Sequence, residues 1–291
     1  MGLTVLVVGA RGEDSGKTVV AASLVSALRT GGYRAAGFKP YAAGRLWGSP
    51  GIYRETVSRR LLVGLDALML WESMDQEFSL EHVNPGALVL GEFDVARNRW
   101  RGPAFMGVDE MSRLGVLGRI SSCQGSRVET LHFINIEALK RLPSGLEEAF
   151  TDMAVAVKPY PLKVGDEFVS RFVRGEYEDQ ILSCYSRLLE GYEIVVVESN
   201  HDVAVPLRKG LYPGLVIAVA PGRIGVVDGD RYVKALGLLG GSGVVPNASE
   251  VVSLAGTVFD LGLPYLEDPY RGYSIDILSP VIEQIAKLMR Q

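Results

Sequence analysis

The sequence predicts an α/β fold, a doubly wound and mainly parallel sheet interrupted by a partly β insertion. Three observations predict it. Leu3 to Val8 is an unbroken apolar run rich in β-branched residues; a glycine-rich turn and an amphipathic helix follow it; short apolar runs of the same kind recur at Ala35 to Phe38, Ile194 to Val197 and Leu215 to Val219.

The opening run has no polar alternation, so it reads as a strand covered on both faces. From Thr18 to Arg29, Val20, Leu24, Ala27 and Leu28 recur at helical spacing, and Gly31-Gly32 supplies the stop. The strand at Ala35 to Phe38 ends at Lys39-Pro40 and completes a right-handed βαβ unit. The region 87 to 157 loses this rhythm. Its runs at Ala87 to Leu90, Leu131 to Asn135 and Ala154 to Val157 are expected to supply antiparallel strand. Phe168 to Leu189 reads as helical. Ser279 to Met289 reads as a closing helix with Ile282, Ile285, Ala286 and Met289 on one face. The expectation is one domain over 1–291 with 87–157 inserted in it.

Composition narrows the function classes. The chain has 291 residues, a formal net charge of −4 and a pI near 5.6, so it offers no global attraction to nucleic acid or anionic membrane. Cys123 and Cys184 lack C-x-x-C spacing and are expected to be inert core thiols, forming neither a disulfide framework nor a zinc site. The apolar start lacks a basic leader and reads as a buried strand, and no apolar run approaches the roughly 20 residues of a membrane span. A cytoplasmic, reducing setting is expected. Asn and Gln are sparse, a thermophilic trait because amides are labile.

The chemistry concentrates at the first turn, Gly9-Ala-Arg-Gly-Glu-Asp-Ser-Gly-Lys-Thr18. It resembles the Walker A loop, G-x-x-x-x-G-K-[ST], with Gly16-Lys17-Thr18 intact; Gly12 lies one residue too close to Gly16 and Gly9 two too far. In such a P-loop the backbone N–H groups at a helix start surround phosphate, the lysine reaches β- and γ-oxygens, and the threonine hydroxyl helps to hold Mg²⁺. The strand before the loop and the helix after it are the context this reading needs. The nucleotide set is then Gly12, Glu13, Asp14, Ser15, Gly16, Lys17, Thr18 and Val19, with ATP and Mg²⁺ as cofactors.

From Gly16 to Gly44 the text GKTVVAASLVSALRTGGYRAAGFKPYAAG resembles dethiobiotin synthetase, an ATP-dependent ring-closing enzyme of the SIMIBI class of P-loop proteins. Gly31 to Pro40 is similar to that family's G-Y-x-x-x-x-[FY]-K-P, whose lysine contacts the carbamate-forming end of the substrate. Asp66-Ala67-Leu68 resembles its magnesium aspartate, Val83-Asn84-Pro85 its V-N-P, and Val195 to Glu198 the V-x-V-E strand whose glutamate also serves magnesium. Leu215 to Gly225, Gly243 to Asn247 and Leu263 to Tyr270 echo later segments, Asn247 matching an adenine contact. The family follows its glutamate with glycines; this chain has Ser199-Asn200-His201-Asp202. Together with the longer loop and the insertion, that substitution implies a divergent relative with a different acceptor.

The resemblance implies a doubly wound P-loop fold, Thr18, Asp66 and Glu198 as magnesium ligands, and Lys17, Lys39 and Glu198 as catalytic residues; Asp202, where the chain departs from the family, joins the catalytic set on its own chemistry. Each residue also has a plainer reading. Glu198 could form a structural salt bridge, Asp66 could cap a helix, and Lys39 could be solvated. His201 and Asp202 could position a water or acceptor, or only satisfy local backbone groups. Arg223 could act as an arginine finger in cis or lie in solvent. The run Arg97-Asn98-Arg99-Trp100-Arg101 could touch nucleic acid or form a solvated hairpin. The expected activity is γ-phosphoryl transfer to a small anionic acceptor, carboxylate or carbamate, or to water, by a protein that is a homodimer. The alternatives are a nucleotide-dependent switch acting through that homodimer or a protein partner, and a polynucleotide 5′-kinase.

Overall fold

The computed structural model describes residues 2–11, 15–97, 99–100, 108–125, 127–240 and 245–290. The chain opens with β1 (Leu3–Gly9), α1 (Lys17–Thr30), β2 (Ala35–Phe38), β3 (Tyr41–Arg45) and α2 (Gly51–Arg59). Next come α3 (Leu65–Glu72), α4 (Leu80–Val83), β4 (Gly86–Leu90), α5 (Val108–Leu114), β5 (Gly115–Gln124) and β6 (Arg127–Asn135). After α6 (Ile136–Leu139) and α7 (Ser144–Ala156) follow β7 (Leu162–Val164), α8 (Asp166–Val173) and α9 (Glu178–Gly191). The last stretch holds β8 (Ile194–Glu198), β9 (Leu215–Ala220), β10 (Arg223–Asp228), α10 (Gly229–Leu239), α11 (Ala248–Ala255), β11 (Phe259–Gly262) and α12 (Ile275–Leu288). The protein is a mixed α/β chain, as its hydrophobic rhythm predicts.

Two compact units divide it. The first comprises Met1–Pro40, Asp66–Val83 and Tyr185–Gln291; the second comprises Tyr41–Leu65 and Asn84–Cys184. The region 87–157, expected as an insertion, falls inside the second unit, which also takes in residues on both sides of it.

In the first unit a six-stranded sheet runs β11-β10-β9-β1-β8-β2. Its pairings β1–β8, β1–β9 and β2–β8 are parallel, while β9–β10 and β10–β11 are antiparallel. The central strand β1 is buried from Thr4 to Gly9, which is why its sequence shows no alternation. Helix α1 packs with α12 and leads from β1 past β8 to β2, so β8 fills the gap between the two N-terminal strands.

In the second unit a five-stranded sheet runs β3-β4-β5-β6-β7, with parallel pairs at its two edges and antiparallel pairs between. One apolar cluster joins Leu46, Ile52, Val89, Val116, Phe150 and Met153; a second joins Leu88, Ile120, Phe133, Val169 and Phe172. Alternate residues of β4 feed different clusters, as the period-2 pleat requires. A buried polar knot ties these strands together. Arg119, fully buried, donates to Leu62 O, to Ser121 Oγ and to both oxygens of Asn84. His132 accepts from Leu62 N–H at 3.3 Å and meets Pro159 O at 3.1 Å.

Two expectations are corrected and one is refined. Ala154 to Val157 is not strand: Ala154 to Ala156 close α7, where Phe150 and Met153 bury a helical face and Val157 ends the helix in an extended conformation. Phe168 to Leu189 is two helices, divided at Gly175, whose φ of 79° suits glycine. Cys123 and Cys184 are not free thiols but are joined in a disulfide that ties β5 to α9, which runs against the reducing setting expected from their spacing. No helix among the described residues is long and apolar enough to cross a membrane.

Candidate active site at the carboxyl edge of the first sheet

All the site elements described here belong to the first unit. Strands β1, β2 and β8 run parallel, so their carboxyl ends share one edge. Helix α1 starts there from Gly16, which takes the left-handed conformation at φ 87°. Its start brings Lys17 and Thr18 to that edge. Lys17 folds back and donates to Ser15 Oγ at 3.2 Å, and only 8 % of the residue is exposed. The fold-back needs Gly9 bare, since a Cβ there would stand 2.8 Å from Lys17 Nζ.

Register supplies the next pair. Val7 lies opposite Glu198 on one side of β8 and Phe38 opposite Val197 on the other, so Lys39 follows beside Glu198. Lys39 Nζ donates to Glu198 Oε1 at 2.8 Å, and Thr18 Oγ1 donates to the same oxygen at 2.7 Å. The Lys39 backbone is held by its N–H on Val83 O at 2.7 Å, at the end of α4.

Asp66 completes the cluster from the first turn of α3. It lies 2.6 Å from Lys39 Nζ through Oδ2, while Oδ1 accepts from Ala67 N–H at 3.1 Å, so it serves both an ion pair and the helix start. Helix α3 can lie this close because Gly37 in β2 has no side chain: a Cβ there would come within 2.4 Å of Leu70. Leu70 is one helical turn beyond Asp66, so the contact that seats the helix also aims the carboxylate.

Burial dominates the electrostatics. Desolvation and then the neighbouring Lys39 lower the Lys17 pKa. Burial alone would lower Lys39 too, but the Asp66 and Glu198 carboxylates reverse that and hold its ammonium above the ordinary lysine value. For Glu198, 1 % exposed, burial drives the pKa upward against the pull of Lys39. Its second oxygen, Oε2, is buried with no hydrogen-bond partner among the described residues.

That orphaned oxygen bears on magnesium. No group of three or more Asp, Glu, His or Cys side chains suited to a metal occurs among the described residues. The residues still fit this ion, which takes one or two carboxylates, substrate phosphates and its own waters. Glu198 Oε2 and the Thr18 hydroxyl oxygen are the available ligands; both oxygens of Asp66 are already engaged.

The other expected residues are dispersed. Gly12, Glu13 and Asp14 lie outside the described residues, as do Asn98 and Arg101 of the basic run. Val19 is in α1, its carbonyl accepting from Ser23. Asp202 is half-buried and close enough to raise the Lys17 pKa electrostatically, and its carbonyl accepts from Ala248 N–H at 2.6 Å. His201 is exposed in a left-handed turn at φ 45°. Asn247, exposed, caps α11 in a reciprocal arrangement with Glu250. Arg223 is exposed at the start of β10, and Arg97 pairs with Asp94. Sequence reasoning missed Gly37, although a glycine inside a buried strand marks a close approach. Ser199, fully buried with its hydroxyl unpartnered among the described residues, was also missed as an individual.

No protein-family model matches the chain, and no curated protein matches it.

Proposed function

We propose that the first unit is a P-loop NTPase that binds Mg-ATP at the β1–α1 turn and transfers the γ-phosphoryl group. The convergence of Lys17, Thr18 and Glu198 at the carboxyl edge of a parallel sheet, with one buried glutamate oxygen left unpartnered, carries this reading. A carboxylate oxygen withdrawn from water and given no donor is costly, and a cation brought by a ligand relieves that cost. The α1 N-terminus and the Lys17 ammonium favour an anion beside it.

The division of labour follows from chemistry. Lys17 would hold β- and γ-phosphate oxygens, and Thr18, whose hydroxyl hydrogen is on Glu198, would offer its oxygen to the metal. Magnesium, when bound, would neutralise charge on the phosphates. Asp202 lies within electrostatic reach of Lys17 and would orient the accepting group. Catalysis then rests on positioning and charge stabilisation.

The resemblance to dethiobiotin synthetase supports a carboxylate- or carbamate-activating reaction in the cytoplasm. One observation favours the alternative, a hydrolytic switch acting through a homodimer or partner. Lys39, expected to draw in an anionic acceptor, is 3 % exposed at its side chain and committed to two carboxylates. Water is an acceptor that needs no such lysine. The disulfide is compatible with the cytoplasm of a hyperthermophile, where such bonds persist.

Fluorescent-ATP titration of wild-type and Lys17→Ala protein tests the assignment; equal affinities would rule it out. ATP turnover with and without small carboxylates, alongside the association state in ATP and ADP, separates the enzyme from the switch.

A further inference from the structure

The three charged groups Lys39, Asp66 and Glu198 form one assembly, in which Lys39 and Glu198 are buried and Asp66 is half-buried. Its ammonium stands 2.6 Å from Asp66 Oδ2 and 2.8 Å from Glu198 Oε1. Of the four carboxylate oxygens, one accepts from the Ala67 N–H, one pairs with Lys39, and one takes both Lys39 and Thr18. Glu198 Oε2 alone remains, buried and unpartnered among the described residues.

We propose that Lys39 is the resident counter-ion of the Asp66–Glu198 pair and competes with the divalent metal, so that metal enters only together with a nucleotide and releases the Lys39 ammonium from Glu198. This rests on the nucleotide reading above. A free ion arriving alone finds one open carboxylate oxygen and meets repulsion from two buried ammonium groups, Lys39 and Lys17. Magnesium sheds its hydration shell reluctantly, and one oxygen is a poor exchange for it. A nucleotide alters both factors by bringing phosphate oxygens as ligands and negative charge that offsets Lys17.

Release needs no backbone movement. The Lys39 N–H is fixed on Val83 O at 2.7 Å, and the four-carbon stem beyond it supplies the travel. The competition prevents the empty site from filling with a stray divalent ion and couples metal binding to nucleotide binding.

The test is Mn²⁺ titration of the full-length chain without nucleotide, followed by electron paramagnetic resonance, on wild type and Lys39→Met. Methionine keeps the stem and removes the charge. The expected result is Mn²⁺ affinity at least about tenfold tighter in the variant, because a like charge within contact range is gone. Equal or weaker affinity overturns the proposal. Should Lys39→Met fail to fold, a wild-type crystal grown with Mn²⁺ and ADP decides. Manganese on Glu198 with Lys39 Nζ withdrawn from Oε1 supports the proposal; Lys39 still holding both carboxylates, or manganese seated elsewhere, overturns it. Failure of the nucleotide reading has a separate signature, since neither protein would then bind ADP, and the Mn²⁺ titration would still stand on its own.

Discussion

The Lys17 ammonium rests over Gly9, where an added Cβ would come within 2.8 Å of both Lys17 Nζ and Ser15 Oγ. Gly9→Ala, at the last residue of β1, should therefore unseat the lysine and press on the Arg11 carbonyl, 2.9 Å from the same Cβ. The expected outcome is nucleotide affinity lower by about tenfold to a hundredfold, the value of one to two charge-assisted contacts, with an unchanged circular dichroism spectrum. Isothermal titration with ATP checks it, and unaltered affinity would mean that Lys17 does not act from this position.

Removing Lys39 leaves the buried Glu198 carboxylate without its counter-ion, beside the half-buried Asp66. Lys39→Met should lower stability by about 3–5 kcal/mol, the usual cost of an uncompensated buried charge. Adding Glu198→Gln should restore part of that loss, since the pair is coupled and the single effects cannot add. Chemical denaturation of the four proteins in the cycle measures the coupling; strict additivity would show that the ion pair is not formed in solution.

Leu70 occupies the space of the missing Gly37 side chain, so Gly37→Val forces α3 off β2. A loss of about 1–3 kcal/mol is expected from overpacking. Leu70→Ala in the same chain should recover much of it by vacating that space. Melting temperatures of the single and double variants report the rescue, and a double variant worse than either single one would contradict the packing.

His132 is buried beside Arg119, and desolvation first, then that guanidinium, lowers its pKa to about 4. The unfolded histidine titrates near the ordinary value of 6.5, so between these values the unfolded chain binds more protons than the folded one. Stability is therefore complete above about pH 6.5 and falls as pH drops toward about 4, by about 3 kcal/mol in total. His132→Gln should flatten that segment of the stability curve. A slope retained in the variant would assign the titration elsewhere.

The Cys123–Cys184 bond closes a separation of 61 residues. Chain entropy assigns a closure of that length about 4 kcal/mol. Thiol titration in denaturant should find no free thiol before reduction and two after it, and Cys123→Ser/Cys184→Ser protein should unfold at lower denaturant. Two titratable thiols in native, unreduced protein would remove the bond.

The parallel strands were legible because burial on both faces writes itself as an unbroken β-branched run, and α1 because its apolar stripe has helical spacing. Lys39 and Glu198 were legible singly, as charges ending such runs. Their contact was not, since it depends on β8 inserting between β1 and β2 across a separation of 159 residues. Ala154 to Val157 misled because valines alternate there, and only the buried Phe150 and Met153 reveal the helix. The association of 41–65 with 84–184 is fixed by strand partners such as Tyr41 with Gly86 and Ala42 with Ala87, which no local pattern announces. The cysteines likewise lack short spacing because they belong to a strand and a helix far apart in the chain.

The flanking of β1 by β8 and β9 has a consequence for biogenesis. Leu3 through Gly9 find every ladder partner at Ile194 or later. At a ribosomal rate of 5–20 residues per second, β1 waits roughly 10 to 40 seconds after its synthesis for these neighbours. During that interval an apolar strand is left without its ladder partners, and a product truncated before Ile194 would keep that segment uncovered.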